Sequence, residues 1–202
     1  MYHLKISVAD LPLEIYTIRQ SMKKFLDTYF STYKTEKEPF FQINIIEKKA
    51  INNVEQSECV IPELEFVSQD EWRILNNSID RNTVGYIDTN KRICTIEVPS
   101  VSNTYLVTSV IRVCVQYFLE LCDGFFLHGA CGVVENKGIL FTGKSTAGKS
   151  TALHNSHPDS IIVEDAAAIR IINNQIWCYS IPFRGEKLAK TSRIGLGESL
   201  NA

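Results

Sequence analysis

Long uninterrupted apolar runs are missing from this 202-residue chain. The most apolar stretch, Tyr105 to Cys122, is broken by Arg112, Gln116 and Glu120. A membrane span tolerates such groups poorly at its centre, so a buried helix is expected there instead. The N-terminus, Met1-Tyr2-His3-Leu4-Lys5, lacks the apolar core of a signal peptide. No Cys-x-x-Cys pair occurs among Cys59, Cys94, Cys114, Cys122, Cys131 and Cys178, which are scattered through apolar stretches. That pattern points to buried free thiols in a reducing compartment, not to a disulfide framework. A cytoplasmic protein is expected. Charge of one sign is also lacking, with a formal net charge of −2. Lys23-Lys24 and Lys48-Lys49 are short pairs that read as solvated surface. No clustered basic face is visible, so neither nucleic acid nor a membrane is expected as a partner. Internal repeats and low-complexity tracts are absent as well.

What remains is an ordinary globular composition, 45% hydrophobic and 22% charged, which can bury a core. The length suits one large domain, or a small domain attached to a medium one. The spacing predicts strands at His3–Ala9, Phe40–Ile46, Leu64–Val67, Thr83–Ile87 and Ile93–Val98. Thr89-Asn90-Lys91 reads as the turn between the last two, and Ile51–Ser57 as a polar loop. Ile18, Met22, Phe25, Leu26, Tyr29 and Phe30 recur at helical spacing and predict a helix over Tyr16–Phe30. This half reads as antiparallel hairpins without recognisable chemistry.

A second helix is predicted from Thr104 to about Cys122, capped by Ser102 or Asn103 and ended by Asp123-Gly124. A strand, Phe125–Val134, then turns at Glu135-Asn136-Lys137-Gly138 into a short apolar strand, Ile139–Thr142. That strand runs straight into Gly143-Lys144-Ser145-Thr146-Ala147-Gly148-Lys149-Ser150. A helix should begin at Lys149 and stop near Asn155-Ser156-His157-Pro158. Ile161-Ile162-Val163 reads as a buried strand ending in Glu164-Asp165, followed by a hairpin, Ala168–Ile172 and Ile176–Ile181, around Asn173-Asn174. Pro182 to Glu186 reads as a loop, and the tail to Ala202 is weakly patterned.

The run from Gly143 to Ser150 meets the Walker A pattern Gly-x-x-x-x-Gly-Lys-Ser/Thr. Glycines let the backbone fold tightly and aim successive N–H groups at one point, which builds an anion nest. The helix that follows adds its positive end. Lys149 supplies a full charge to the β- and γ-phosphates, and the Ser150 hydroxyl can ligate Mg²⁺. Thr151 extends the set of nucleotide-binding candidates. The loop serves ATPases, GTPases, kinases and inert binding modules alike, so its neighbours must decide.

Glu164-Asp165 stands directly after an apolar strand. In phosphoryl transfer one carboxylate holds Mg²⁺ and a second accepts the proton of the attacking hydroxyl. His128 lies in the strand whose hairpin partner feeds the loop, beside Gly129, which permits close approach. Arg184, in Phe183-Arg184-Gly185-Glu186, could stabilise charge on the transferred group, and Glu186 could add a metal contact. His154 and His157 read as surface residues, since a metal site would need more ligands.

In order along the chain, Leu127-His128-Gly129, Leu140 to Thr151, Val163-Glu164-Asp165 and Phe183-Arg184-Gly185-Glu186 resemble the catalytic domain of the HPr kinase/phosphorylase family and its HPr-kinase-like relatives. That family shares its core with the phosphoenolpyruvate carboxykinases. The resemblance covers about residues 125–186. It implies an α/β (more narrowly α+β) fold, with a mixed, largely antiparallel sheet around a P-loop. The domains expected are a smaller β-rich N-terminal region, residues 1–100, and a P-loop catalytic domain, residues 101–202, that is short at its C-terminal end. It also implies ATP, Mg²⁺ and transfer to a serine hydroxyl. Lys149 and Ser150 match the phosphate and metal residues, and His128 matches a histidine beside the catalytic centre. Glu164-Asp165 matches an Asp-Asp pair with base and metal duties. Glu164 departs from the family's Asp, and the N-terminal half does not look like the regulatory domain of true HPr kinases.

The expected function is therefore an ATP-dependent kinase of a serine-type hydroxyl on a peptide, protein or small molecule, with Asp165 favoured as base. Relatives with divergent N-terminal halves sit with peptide-modifying enzymes, which favours such acceptors over HPr itself. The alternative is a non-catalytic nucleotide-sensing or peptide-binding module that retains the loop. A carboxykinase-like decarboxylase lacks the extra His, Lys and Asp cluster it would need. The sequence leaves the acceptor open and admits a homo-oligomer.

Overall fold

A turn built from Ala9 and Asp10, both with left-handed φ (52° and 57°), joins the first two strands, β1 (Tyr2–Val8) and β2 (Leu11–Thr17). The computed structural model describes residues 1–47, 62–75, 83–98, 104–135, 137–183 and 193–195. The chain divides into two compact units, Met1–Ser7 with Leu11–Tyr117, and Val8–Asp10 with Phe118–Ala202. The division falls inside the second helix and not at residue 100. The N-terminal unit is thus the larger of the two, where the sequence suggests the smaller. The fold is mixed α+β and strands predominate.

The first unit holds a seven-stranded sheet in the order β1-β2-β3-β7-β6-β5-β4. Its remaining strands are β3 (Phe41–Glu47), β4 (Glu63–Ser68), β5 (Glu71–Leu75), β6 (Thr83–Asp88) and β7 (Ile93–Val98). The β6–β7 hairpin is antiparallel as expected; β4–β5 and β5–β6 are antiparallel too, but the sequence reading assigns no strand to β5. However, β3 runs parallel to both neighbours, with Ile43 opposite Ile15 on one side and Cys94 on the other. The expected helix over Tyr16–Phe30 is shorter, α1 (Gln20–Tyr29). Tyr16 belongs instead to β2, which the sequence reading misses. Thr17 Oγ1 accepts from Arg19 N–H at 3.3 Å, a local turn that lets the chain leave the strand and start the helix.

Alternation along the strands sorts the residues by face. Leu13, Ile15, Phe41, Ile43, Ile74, Ile87, Cys94 and Ile96 are buried, with Met22 and Leu26 of α1. Helix α2 (Thr104–Glu120) contributes Val107, Val110, Ile111, Cys114 and Val115 to the core of this unit. Each such side chain contributes roughly 1.5–3 kcal/mol by leaving water.

The second unit is organised by β8 (Gly124–Val134), a strand of 11 residues. It carries β9 (Lys137–Thr142), β10 (Ser160–Val163) and β11 (Ala166–Ile172) as direct partners. Strands β12 (Gln175–Ser180) and β13 (Arg193–Gly195) extend the sheet beyond β11. β13 falls in the tail that the sequence reading leaves weakly patterned. Every described pairing in this sheet is antiparallel, so the mixed sheet is the other one. The β11–β12 turn is Asn173-Asn174, with φ 52° and 59°, the left-handed pair a two-residue hairpin requires. One buried cluster here is Cys131, Val163, Ala167, Ile169 and Cys178, with Leu127, Leu140, Ile162 and Ile176 packed against it.

Cys94, Cys114, Cys131 and Cys178 are buried free thiols and Cys122 is a half-buried one; Cys59 lies outside the described residues. Burial pushes the Cys94 thiol well above its usual range. The expected Ile51–Ser57 loop and the Ser102 or Asn103 cap also lie outside the described residues. Among the described residues, no helix is long and apolar enough to cross a membrane.

Candidate functional site around the glycine-rich loop

Three partners meet β8 near His128 and Gly129. β9 pairs along Gly129–Val134 and places Thr142, the residue before the loop, opposite Gly129. β10 pairs with Cys131–Val133, and β11 with Gly124–His128. β9 and β10 share the same β8 residues, and a strand has two edges, so they lie on opposite edges. β10 and β11 follow one another along one edge. At their junction Gly129 N–H donates to the Asp165 carbonyl at 2.9 Å. The end of β9, Glu164-Asp165 and His128 are therefore brought to one level of the sheet. Gly129 eases this close approach: a Cβ there would stand 3.0 Å from the Phe141 carbonyl oxygen and 3.2 Å from Leu140 Cδ1, a tight fit.

The loop between β9 and α3 (Lys149–Asn155) is exposed from Gly143 to Gly148, but Lys149 is buried. Lys149 Nζ donates across the loop to the Lys144 carbonyl at 2.8 Å, and Ala147 N–H reaches the same carbonyl at 3.2 Å. Gly148 has φ 79°, a left-handed conformation that favours glycine. Thr146 adopts φ 67° without being glycine, so the loop holds one costly backbone geometry. α3 spans seven residues, so positive field at the loop comes chiefly from Lys149 and nearby N–H groups.

The carboxylates at the end of β10 each face a histidine. His128 Nδ1 lies 3.0 Å from Asp165 Oδ1, and His154 Nε2 lies 2.8 Å from Glu164 Oε1. Side-chain exposures of 47% and 65% for the first pair, and 56% and 47% for the second, keep each contribution to stability near 0–1 kcal/mol. These contacts set orientation more than they hold the fold. Ser150 Oγ donates to the Glu164 main-chain carbonyl at 3.1 Å and ties α3 to the end of β10. Thr151 is exposed on the first turn of α3. Arg184 and Glu186 lie outside the described residues.

His154 is the functional candidate that sequence reasoning misses. It is exposed, as expected of a surface residue, yet it contacts one of the two carboxylates. The available signal was its spacing from Ser150, since residues four apart share a helix face. His157, with φ 48°, sits in the turn after α3.

Among the described residues, no three His, Cys, Asp or Glu side chains are grouped to hold a metal ion. The local donors are oxygens: the Ser150 hydroxyl and the carboxylates of Glu164 and Asp165. That set fits Mg²⁺, which keeps several waters and takes one or two carboxylates together with phosphate oxygens. No protein-family model matches the chain, and no curated protein matches it.

Proposed function

We propose that this protein is an HPr-kinase-like P-loop kinase that transfers the γ-phosphate of ATP to a serine-type hydroxyl of a peptide, protein or small molecule. The observation that supports it most is the β8 register, which brings the Gly143–Ser150 loop, His128 and Glu164-Asp165 to one level of an antiparallel sheet. Lys149 and the loop N–H groups bind the phosphates. Asp165, faced by His128 at 3.0 Å, accepts the acceptor's hydroxyl proton. The hydroxyl oxygen bonds to the γ-phosphorus as the bond from that phosphorus to the β–γ bridging oxygen breaks, and ADP leaves. Ser150, Glu164 and Asp165 would hold Mg²⁺, which when bound neutralises charge on the β- and γ-phosphates. Arg184 stabilises the transferred group and Glu186 adds a metal contact. The buried free thiols support a reducing, cytoplasmic setting.

Incubation with Mg²⁺ and γ-labelled ATP against free serine and serine-containing peptides, read by mass spectrometry, tests this. Transfer that disappears in Lys149→Ala and Asp165→Asn supports it. Transfer unchanged in Asp165→Asn removes Asp165 as base. Nucleotide binding without transfer to any acceptor would favour a non-catalytic nucleotide-sensing or peptide-binding module.

A further inference from the structure

Glu164 is held at two points by one face of α3. Ser150 Oγ donates to its main-chain carbonyl at 3.1 Å, and His154 Nε2 lies 2.8 Å from its Oε1. Ser150 and His154 are four residues apart, so both project from the same side of the helix. An ionised carboxylate only accepts hydrogen bonds, so His154 presents Nε2–H to Oε1. Oε2 keeps its acceptor capacity. The length of the side chain matters. With the main chain pinned by Ser150, an Asp at this position would fall about 1.5 Å short, one C–C bond length. Glutamate at 164 and histidine at 154 are a matched pair. Asp165, the next residue, takes a different partner, His128, so the adjacent carboxylates are separated by their histidines.

We propose that His154 is a positioning residue. It fixes the Glu164 carboxylate beside the glycine-rich loop, so that Glu164 serves the divalent cation while Asp165 faces the acceptor hydroxyl. The proposal rests on the phosphotransferase reading and deepens it by dividing the duties of the two carboxylates. The contact is too exposed to add much to stability, so its consequence is the direction in which Glu164 points. Outer groups that orient a metal ligand typically change metal affinity 10–100-fold when removed.

The test is calorimetric titration of the full chain with ADP over a series of Mg²⁺ concentrations, and again in EDTA. His154→Ala should raise the Mg²⁺ concentration for half-maximal nucleotide binding about ten-fold. His154→Gln, whose side-chain amide can still donate to Oε1, should recover most of that loss. Glu164→Asp, which also draws back the ligand itself, should lose at least that factor, and the double variant His154→Ala/Glu164→Asp no more than Glu164→Asp alone, because the contact is already broken. Binding of ADP in EDTA should stay unchanged in His154→Ala and His154→Gln, which a misfolded variant would not allow. Wild-type Mg²⁺ dependence in His154→Ala, or losses that multiply in the double variant, would overturn the proposal while leaving the kinase reading intact. Equal nucleotide binding by wild type and Lys149→Ala would overturn the kinase reading itself, and this inference with it.

Discussion

The two units store their free energy differently. Among the described residues, eleven of the twelve largest fully buried side chains belong to the N-terminal unit, including Phe30, Phe41, Ile43 and Ile96, and Phe118 belongs to the other. Conversely, among the described residues, eight of the nine non-glycine residues with positive φ fall in the second unit, including Thr146 in the loop, and Arg92 falls in the first. The second unit buries several small residues, Ala130, Cys131, Ala167, Ala168 and Cys178, beside larger ones such as Leu153 and Ile181. A unit rich in large buried side chains is a scaffold, and strained turns beside exposed polar groups are where ligands are met.

That contrast can be broken by experiment. The largest effect should come from the second unit's chemistry. On the proposed kinase reading, Asp165→Asn lowers phosphoryl transfer about 10²–10⁴-fold while nucleotide binding by calorimetry stays near wild type. If transfer needs no carboxylate there, the functional half of the comparison fails. Next, Ile43→Ala removes a fully buried side chain from β3. It should cost about 2–5 kcal/mol in denaturant unfolding yet leave nucleotide affinity unchanged in the folded protein. A parallel loss of affinity would show that the units are not functionally separable.

A smaller effect is expected from Gly129→Ala. Its Cβ would press on the Phe141 carbonyl at 3.0 Å, and overpacking of this kind costs about 1–3 kcal/mol. Because β9 leads into the loop, this variant should weaken nucleotide binding as well as stability, unlike Ile43→Ala. The smallest effect is electrostatic. A hydrogen bond from the Lys23 ammonium holds the Asp27 carboxyl below the usual carboxylate range; burial opposes this, and Lys34 adds to it. The folded pKa lies below the unfolded one. Its contribution is therefore full above the ordinary carboxylate range and is lost as pH falls through the depressed value. Asp27→Asn should remove a few tenths of a kcal/mol near neutral pH and flatten the acid limb of the first unit's unfolding curve.

Turn chemistry explains much of what was legible. Asn173-Asn174 announces its hairpin because asparagine tolerates left-handed φ. Ala9-Asp10 adopts the same conformation without so clear a signature, so the sequence reading assigns no strand to β2 and places its last two residues, Tyr16 and Thr17, in a helix. Gln69-Asp70, between β4 and β5, hid β5 in the same way. The parallel setting of β3 leaves no local trace, since it depends on which distant strands flank it. At the site, sequence order exposed the loop, His128 and Glu164-Asp165. It did not expose the pairing of each carboxylate with its own histidine.

By itself the sequence determined the glycine-rich loop, the strand before it, the helix start after it and the nearby acids. Those depend on residue type and short spacing, which local sterics and hydrogen bonding fix. Only the tertiary structure decided that β9 and β10 flank β8 and end at one level. It also decided that His154 reaches Glu164, and that the N-terminal unit takes α2 into its core as far as Tyr117. Strand register and cross-element contacts are choices among distant segments, settled by which faces can be buried together.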